Sequence, residues 1–574
     1  MTHRILLGVL LFFFCFSPTK AQEIEQIEVS KSIENQIDLI FKEYDNSATP
    51  GISVGFMQNG KLIFTKGYGM ADLEHNIPID TSSVFSLASV SKQFTVFAIL
   101  LLEEQGKLSL DDDIRKHLSE FKDYGEIITL RQLANHSSGI RSHLHLLGQA
   151  GYISDNVITK KGVHKIIYSQ EELNFKPGSE FNYSNSGYVL LTEVVEKASG
   201  KPFSLFMKEN VFDPLQMNNS FVMDDYHKIV KNRANSYEIE NEVYVNAPAN
   251  YSYYGSTGLY TTLNDFSKWA SNFSNPKIGN RTIFEKMNTL AVLNNGKNYG
   301  HALGQFVGNF NGLKHIYHSG GDAGYRAFLG RFPKQDVAVF ILSNNNTVNA
   351  QGKALEIADI FLKPYYKNNS TTGTNSIEPK IIKLTTSNLI KHCGSYLNTS
   401  NFVIRDIFVR NDTLVYSRQD QNGRETPLLA LDKQNTFQLG NNKSVQAYFN
   451  KSGTNKSIGI LVNGEEVELY SKYLPKKYSS KELEEFTGTY YSKELDTKYI
   501  LEIQEGVLIV SHPKMDLITL QAIKLDSFLG SSWRFRSLVF ERNRNGLIDG
   551  FRISSARAKN VHFEKTAHNK AYKQ

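Results

Sequence analysis

Ser89 and Lys92 stand three residues apart in Ser89-Val90-Ser91-Lys92. On a helix that spacing puts a hydroxyl and an amine on one face, one turn apart. A serine so placed can attack a carbonyl. An amine held in apolar surroundings has its charged form disfavoured and can take the serine's proton. The string alone decides little, because Ser-x-x-Lys recurs at Ser17/Lys20, Ser119/Lys122, Ser274/Lys277 and Ser511/Lys514. Context separates them. Ser17 lies in an N-terminal leader, Ser274 and Ser511 have a proline before the lysine, and Ser119 lies in a charged stretch. After Ser89, by contrast, Val90, Phe94, Phe97, Ala98, Leu101 and Leu102 keep helical spacing. Gly106 is suited to stop that helix. It is apolar nearly all round, which predicts burial at the centre of a domain. A plainer reading competes: Ser86, Ser89 or Ser91 could cap the helix, and Lys92 could snorkel to solvent. Both readings point to the helix start, where free N–H groups and the helix dipole would stabilise an oxyanion.

Two further groups could join the serine. Tyr183-Ser184-Asn185 stands in a turn-rich stretch before an amphipathic helix expected over Tyr188 to Ala198. A tyrosine there could pass protons, and a carboxamide could hold a substrate carbonyl. His318-Ser319-Gly320 ends one strand before a glycine-rich turn, and glycine lets a substrate backbone come close. Neither triplet is specific alone. Tyr-x-Asn recurs at Tyr44, Tyr244, Tyr396 and Tyr448, and His-x-Gly at His392. His136, His143 and His145 raise a metal-dependent alternative, but no His-Glu-x-x-His or cysteine pair supports it. The expectation is no metal and no cofactor.

These residues need a frame. A chain of 574 residues holds two to four domains. Residues 1–21 read as a secretory signal peptide: Arg4, an apolar run from Ile5 to Phe16, then Ala21 before Gln22. The run is too short to span a bilayer, so no stable membrane span is expected after cleavage, and the protein should be secreted or periplasmic. Losing Arg4 and Lys20 lowers the net charge from +6 to +4, too little to suggest a nucleic-acid partner. From Pro50 to Gly69, alternating residues flank Asn59-Gly60, the strongest hairpin signal. A helical and looped stretch follows to about residue 295. Strands return around Asn311-Gly312 and in "YRAFLGRFP" and "VAVFILSN", and "AQGKALEIADIFL" closes as a helix. The fold class is therefore α/β over residues 22–366: an antiparallel sheet flanked by helices, with an inserted helical region. Residues 367–380 read as a polar linker. Beyond it come all-β modules at 381–475 and 476–574, read as two small barrels, with a sandwich or two halves of one larger module as the alternatives; their openings echo each other in Gly394-Ser395-Tyr396 and Gly488-Thr489-Tyr490. The basic run from Arg552 reads as a solvated tail.

The three groups, in this order, resemble the serine β-lactamase and penicillin-binding protein superfamily, in its class C β-lactamase-like branch. That branch includes D-alanyl-D-alanine carboxypeptidases, D-aminopeptidases and esterases. "FSLASVSKQFT", "ITLRQLANHSSGIRS", "FKPGSEFNYSNSGYVLLTEVVEKASGKPF", "VFDPLQMNNS", "GSTGLYTTLNDFSKW" and "HSGGDAGYRAFLGRFP" all carry the likeness, over about residues 35–362. The resemblance implies a β-lactamase-like fold with Ser89 as acylated nucleophile, Lys92 as its base and Tyr183 as proton carrier. Asn185, His318, Ser319 and Gly320 would bind substrate, and the N–H groups of Ser89 and Gly321 would form the oxyanion hole. One departure matters. Many members carry Lys-Thr-Gly where this chain has His-Ser-Gly, and a neutral histidine is a poor partner for a substrate carboxylate. The expected partner is a small-molecule or peptide acyl substrate, cell-wall material among the sources, cleaved at an ester or amide. The alternative is a non-catalytic wall- or peptide-binding protein with a degenerate hydrolase domain.

Overall fold

The computed structural model describes residues 29–153, 155–366, 380–399, 401–418, 423–450, 456–462 and 464–566. The leader, residues 1–21, and residues 367–379 of the expected linker lie outside these.

Strands β1 (Ile52–Gln58) and β2 (Lys61–Tyr68) form the opening hairpin, turning through Asn59 and Gly60 at φ of 51° and 72°. Strands β3 (Phe306–Phe310) and β4 (Leu313–Asp322) turn in the same way through Asn311 and Gly312. Strands β5 (Tyr325–Phe332) and β6 (Val337–Ser343) complete a sheet of order β3-β4-β5-β6-β1-β2, antiparallel at every pair. The two ends of the domain meet where β6 pairs with β1, and the long middle of the chain is inserted between β2 and β3.

Four helices position the site: α1 (Lys31–Phe41), α2 (Ser91–Glu104), α3 (Asn185–Ser199) and α4 (Ala350–Leu362). Side chains alternate across the sheet. On one face Val54, Phe56, Phe328, Val339 and Ile341 pack with Ile37 and Phe41 of α1 and Ile357 and Leu362 of α4. On the other face Met57, Ala327, Leu329, Phe340 and Leu342 belong to the larger core built around α2 and α3. Helix α2 is buried without a break from Ser91 to Leu102, as its apolar circumference predicts. It ends as expected, with Gly106 at φ 69° just beyond it. Helix α3 starts three residues earlier than its amphipathic pattern suggests, so Asn185 is its first helical residue.

The chain then forms two closed eight-stranded antiparallel barrels, over Gly394–Lys472 and Gly488–Lys565. Both close by one device. The hydroxyl of Tyr396 donates to the His392 carbonyl at 2.9 Å, and that of Tyr490 to the Phe486 carbonyl at 2.9 Å. Gly394 and Gly488 leave room for the stems of Lys472 and Lys565 at the start of each barrel. This is the physical content of the repeated Gly-x-Tyr. The second barrel is docked on the α/β domain, and its apolar interior is continuous with the core around α2. The first has its own core and touches the second through Leu397, Ile404 and Ile523. The run from Arg552 is not a solvated tail as far as Thr566: it supplies the last two strands of the second barrel, Ile548–Ser554 and Val561–Lys565, and the loop between them.

Candidate active site

Ser89 sits in a single 3₁₀ turn, Ala88–Val90, that runs directly into α2. No serine caps α2 with its side chain. Ser91 spends its hydroxyl accepting the Leu259 N–H at 3.2 Å, and Ser86 accepts that of Ala88 at 3.1 Å. The Ser89 Oγ lies 3.1 Å from Lys92 Nζ. Ala88 carries φ 45°, a left-handed conformation for a residue with a side chain. Such strain costs on the order of 1–3 kcal/mol and persists only where packing imposes it. The packing here comes from β4. A Cβ on Gly320 would lie 2.3 Å from the Leu87 carbonyl oxygen, 3.0 Å from Ala88 Cβ and 3.1 Å from Ser89 N. Glycine at 320 is what lets the sheet edge press against the turn that carries Ser89.

Lys92 is fully buried. Its Nζ donates to the Ser256 carbonyl at 2.7 Å, and the rings of Tyr183 and Tyr188 lie 4.8 and 5.4 Å away. Burial holds its ammonium well below the usual lysine range, and the positive charge of Arg557 adds to this, while Asp322 opposes it. A neutral amine with one N–H fixed on a carbonyl keeps its lone pair for the Ser89 proton. The segment Gly255-Ser256-Thr257 that presents this carbonyl is itself shaped by a glycine. Gly255 has φ 96°, and a Cβ there would strike the Tyr188 carbonyl at 2.5 Å.

Tyr183 lies against the same pair. Burial pushes its hydroxyl up to about 12, with the Ser89 hydroxyl and the Arg557 charge acting the other way. Its oxygen is 3.5 Å from His318 Nε2. The His318 Nδ1 is 2.6 Å from the Ser319 carbonyl oxygen, which can only accept, so the ring proton is on Nδ1 and Nε2 offers its lone pair. Burial, then the charges of Lys92 and His301, hold His318 well below its ordinary range. His318 is therefore a neutral acceptor here and supplies no positive charge.

Asn185 is buried with its Oδ1 unpartnered among the described residues, one helical turn before Tyr188. Ser319 is the residue the structure does not bring to the site. Strand alternation turns it to the opposite side of the sheet, where its hydroxyl donates to Gln351 of α4 at 3.4 Å. Gly321 follows Gly320 on the strand edge beside the nucleophile turn. The three histidines of the metal alternative serve different neighbours. His136 stacks on Tyr183 at 4.1 Å and accepts the Ser184 N–H, His143 packs on Tyr253, and His145 meets Ser555 Oγ at 2.9 Å.

Sequence reasoning missed Ser256, Ala88 and above all Arg557. The last comes from the loop between the final two strands of the second barrel, and its guanidinium lies 4.7 Å from the centre of the Tyr183 ring. The loop is pinned to the hydrolase-like domain by its backbone. The Arg557 carbonyl accepts from Ser142 N at 3.0 Å and Asn174 Nδ2 at 3.1 Å, and the Ala556 carbonyl from Asn182 Nδ2 at 3.0 Å. Ser142 also accepts the Asn185 N–H, so one serine ties the barrel loop to the start of α3. The only hint in the sequence is that "SSARAKN" is small and polar between two strands.

Comparison with known proteins bears on the family and the fold. The Beta-lactamase family model matches residues 37–361, more than half of the chain. Protein flp of Staphylococcus aureus (strain MRSA252) is 28% identical over 328 residues, covering 55% of this chain and 63% of that protein, so the match spans less than two thirds of its length. Penicillin-binding protein 4* of Bacillus subtilis (strain 168) is 27% identical over 360 residues, 59% of this chain and 78% of that one. Among solved structures, the octameric penicillin-binding protein homologue from Pyrococcus abyssi superposes over 77% of this chain and 99% of its own, with a TM-score of 0.54 at 24% identity. The D-amino acid amidase from Ochrobactrum anthropi SV3 covers 58% of this chain and 100% of its own, with a TM-score of 0.50 at 18% identity. These two likenesses speak to the fold.

Proposed function

Since residues 37–361 make this chain a member of the Beta-lactamase family of hydrolases, we propose that it is a serine hydrolase cleaving esters or amides through an acyl-serine intermediate. The observation that carries the reading is the buried Lys92 amine 3.1 Å from Ser89 Oγ. Ser89 Oγ attacks the substrate carbonyl carbon and its proton passes to Lys92 Nζ. The carbonyl oxygen becomes an oxyanion held by the N–H groups of Ser89 and Gly321. Tyr183, between Ser89 and His318, carries the proton to the departing oxygen or nitrogen, and the bond to the leaving group breaks. Water then adds to the acyl carbon, its proton passes through the same groups to Ser89 Oγ, and the bond from Ser89 Oγ to the acyl carbon breaks to release the acid. Asn185 offers its free carboxamide oxygen to a substrate N–H. His318 keeps the tyrosine hydroxyl in register.

Ester or D-amino-acid peptide cleavage fits this site better than efficient β-lactam hydrolysis, because His318 brings no cation. The expected leader places the reaction outside the cytoplasm, where wall-derived peptides are available. The test is a side-by-side rate panel on a p-nitrophenyl ester, a D-Ala-D-Ala peptide, a D-amino-acid anilide and a chromogenic cephalosporin. Ser89→Ala and Lys92→Ala are each expected to lower kcat by about 10³-fold or more on whichever substrate turns over. Turnover that survives Ser89→Ala would sink the mechanism.

A further inference from the structure

Arg557 is a strange neighbour for a catalytic lysine. A cation beside Lys92 and Tyr183 does nothing to bind a neutral ester. Among the described residues no carboxylate forms an ion pair with its guanidinium. Its contact is the face of the Tyr183 ring at 4.7 Å. The side chain is largely withdrawn from solvent, enough that burial lowers its proton affinity. A desolvated guanidinium without a counter-ion is a costly arrangement, and such cations are normally paired. Asp322, the acid that acts on Lys92, is taken up by the hydroxyls of Tyr251 and Thr257.

The loop also fixes the backbone from which the guanidinium projects. The backbone of Ala556 and Arg557 is fixed to Asn182, Ser142 and Asn174. Lys559 N donates to Asn174 Oδ1 at 2.8 Å, and Ser555 N to the Ala558 carbonyl at 2.8 Å. Arg141, beneath the loop, donates to the Asn560 carbonyl at 3.3 Å. A cation pre-set at the mouth of a site gains affinity because little ordering is left to do when the anion arrives. Guanidinium is also the group that pairs with a carboxylate through two parallel N–H donors.

We infer that Arg557, delivered by the second barrel, is the specificity residue that binds a carboxylate on the leaving fragment of the substrate. This rests on the acyl-serine reading above. It takes the place of the positive charge that His318 does not provide, and puts it on the Tyr183 side of the nucleophile, where the leaving group departs. The substrate class is then an acyl compound whose leaving half carries a free carboxylate close to the scissile bond. No step of bond making or breaking passes through Arg557.

The experiment compares two aryl esters of phenylacetylglycine in the full chain, one releasing 3-hydroxybenzoate and the other 3-hydroxybenzamide. Rates are taken on the pH-independent plateau of kcat/KM, so that effects on the base do not enter. The unmodified protein is expected to prefer the benzoate ester. Arg557→Gln is expected to lower kcat/KM for that ester by about 10- to 100-fold and to change the amide-bearing ester by less than about threefold. Arg557→Lys should recover part of the difference. The loop clamps are made by backbone carbonyls, so neither substitution removes them, and an unchanged melting temperature checks this. Equal losses on both esters, or no loss on the benzoate ester, would overturn the assignment while leaving the serine mechanism standing. Mass spectrometry of the trapped adduct separates the two failures. If Ser89 of the unmodified protein is acylated by neither ester, the acyl-serine reading falls first and the assignment with it.

Discussion

The two barrels have the same strand count, the same antiparallel closure and the same tyrosine-to-carbonyl bond at the start, yet only one of them reaches the chemistry. The difference lies in the last hairpin of each. In the first barrel the strands Ser457–Val462 and Glu465–Lys472 are separated by two residues, 463 and 464. In the second, the equivalent strands Ile548–Ser554 and Val561–Lys565 are separated by residues 555–560. Those extra residues carry Arg557 to Tyr183. The surfaces differ accordingly. The second barrel sets Glu494 against Arg141 at 2.7 Å with both side chains buried, and Tyr499 donates to the Gln149 carbonyl at 2.7 Å. Gly148 and Gly151 leave space for Trp533 and His512. A comparable pair in the first barrel, Arg410 with Glu425 at 2.6 Å, lies in solvent. Two barrels on the same frame thus differ in one hairpin, and the longer hairpin brings Arg557 against Tyr183. Loops on a rigid scaffold are where such changes are tolerated.

The sharpest way to break this comparison is to make the second hairpin like the first. Replacing residues 555–560 by Asn-Gly restores a two-residue turn. Loss of the carboxylate contact and of the Ser142 clamp together is expected to lower kcat/KM on a carboxylate-bearing substrate by about 100-fold or more. The converse graft, lengthening the turn of the first barrel, is expected to leave activity unchanged. Steady-state kinetics on both proteins, with circular dichroism to confirm the barrels, decides it. If the shortened loop keeps full activity, the second barrel is no more part of the site than the first.

The next effect concerns stability. Glu494→Ala leaves the buried Arg141 guanidinium with only the Glu172 carboxylate at 3.7 Å and the Asn560 carbonyl at 3.3 Å, which costs up to about 3–5 kcal/mol. Glu425→Ala removes a solvent-exposed partner, worth roughly 0–1 kcal/mol. Denaturant unfolding is expected to show a large midpoint shift for the first variant and almost none for the second. Similar midpoints for both would mean that the docking surface does not bear the load assigned to it.

The parts of this organisation that could be read in the sequence were those with a local physical cause. Asn59-Gly60 and Asn311-Gly312 specify hairpins because both turn residues need positive φ, and both hairpins are there. The helical spacing of apolar residues from Val90 to Leu102 specifies a buried helix, and the repeated Gly-x-Tyr marks a repeated β module. Ser89 and Lys92 stood out as candidates because they lie one turn apart where a 3₁₀ turn runs into that helix. What stayed hidden depends on contacts between residues far apart in the chain. Ala88 gives no sign in its residue type of the left-handed conformation that packing against Gly320 imposes. Ser256 acts through its carbonyl, which every residue has. Arg557 is 468 positions after Ser89 and sits in a run whose charge suggests only a tail. Ser319 shows the opposite error, because a triplet motif reads as a unit although alternation along a strand sends its middle side chain away.

The finest distinction between the barrels is electrostatic. Lys92 must be neutral to accept the Ser89 proton, so kcat/KM is expected to fall on the acid side as Lys92 becomes charged. Burial and then Arg557 hold its affinity for a proton down, while Asp322 raises it. His136, His301 and His318 also face Lys92, but burial keeps all three neutral over the working range. Arg557→Gln removes a positive neighbour, which makes protonation of Lys92 easier. The acid limb of the profile should therefore move to higher pH, by roughly 0.5–1 unit for a single charge at this range. Arg410→Gln in the first barrel should not move it. The shift should appear on the neutral ester as well as on the carboxylate ester, because it acts on the base and not on the substrate. A limb that stays in place in Arg557→Gln, or that moves equally in Arg410→Gln, would show that the second barrel's charge is not felt at Lys92.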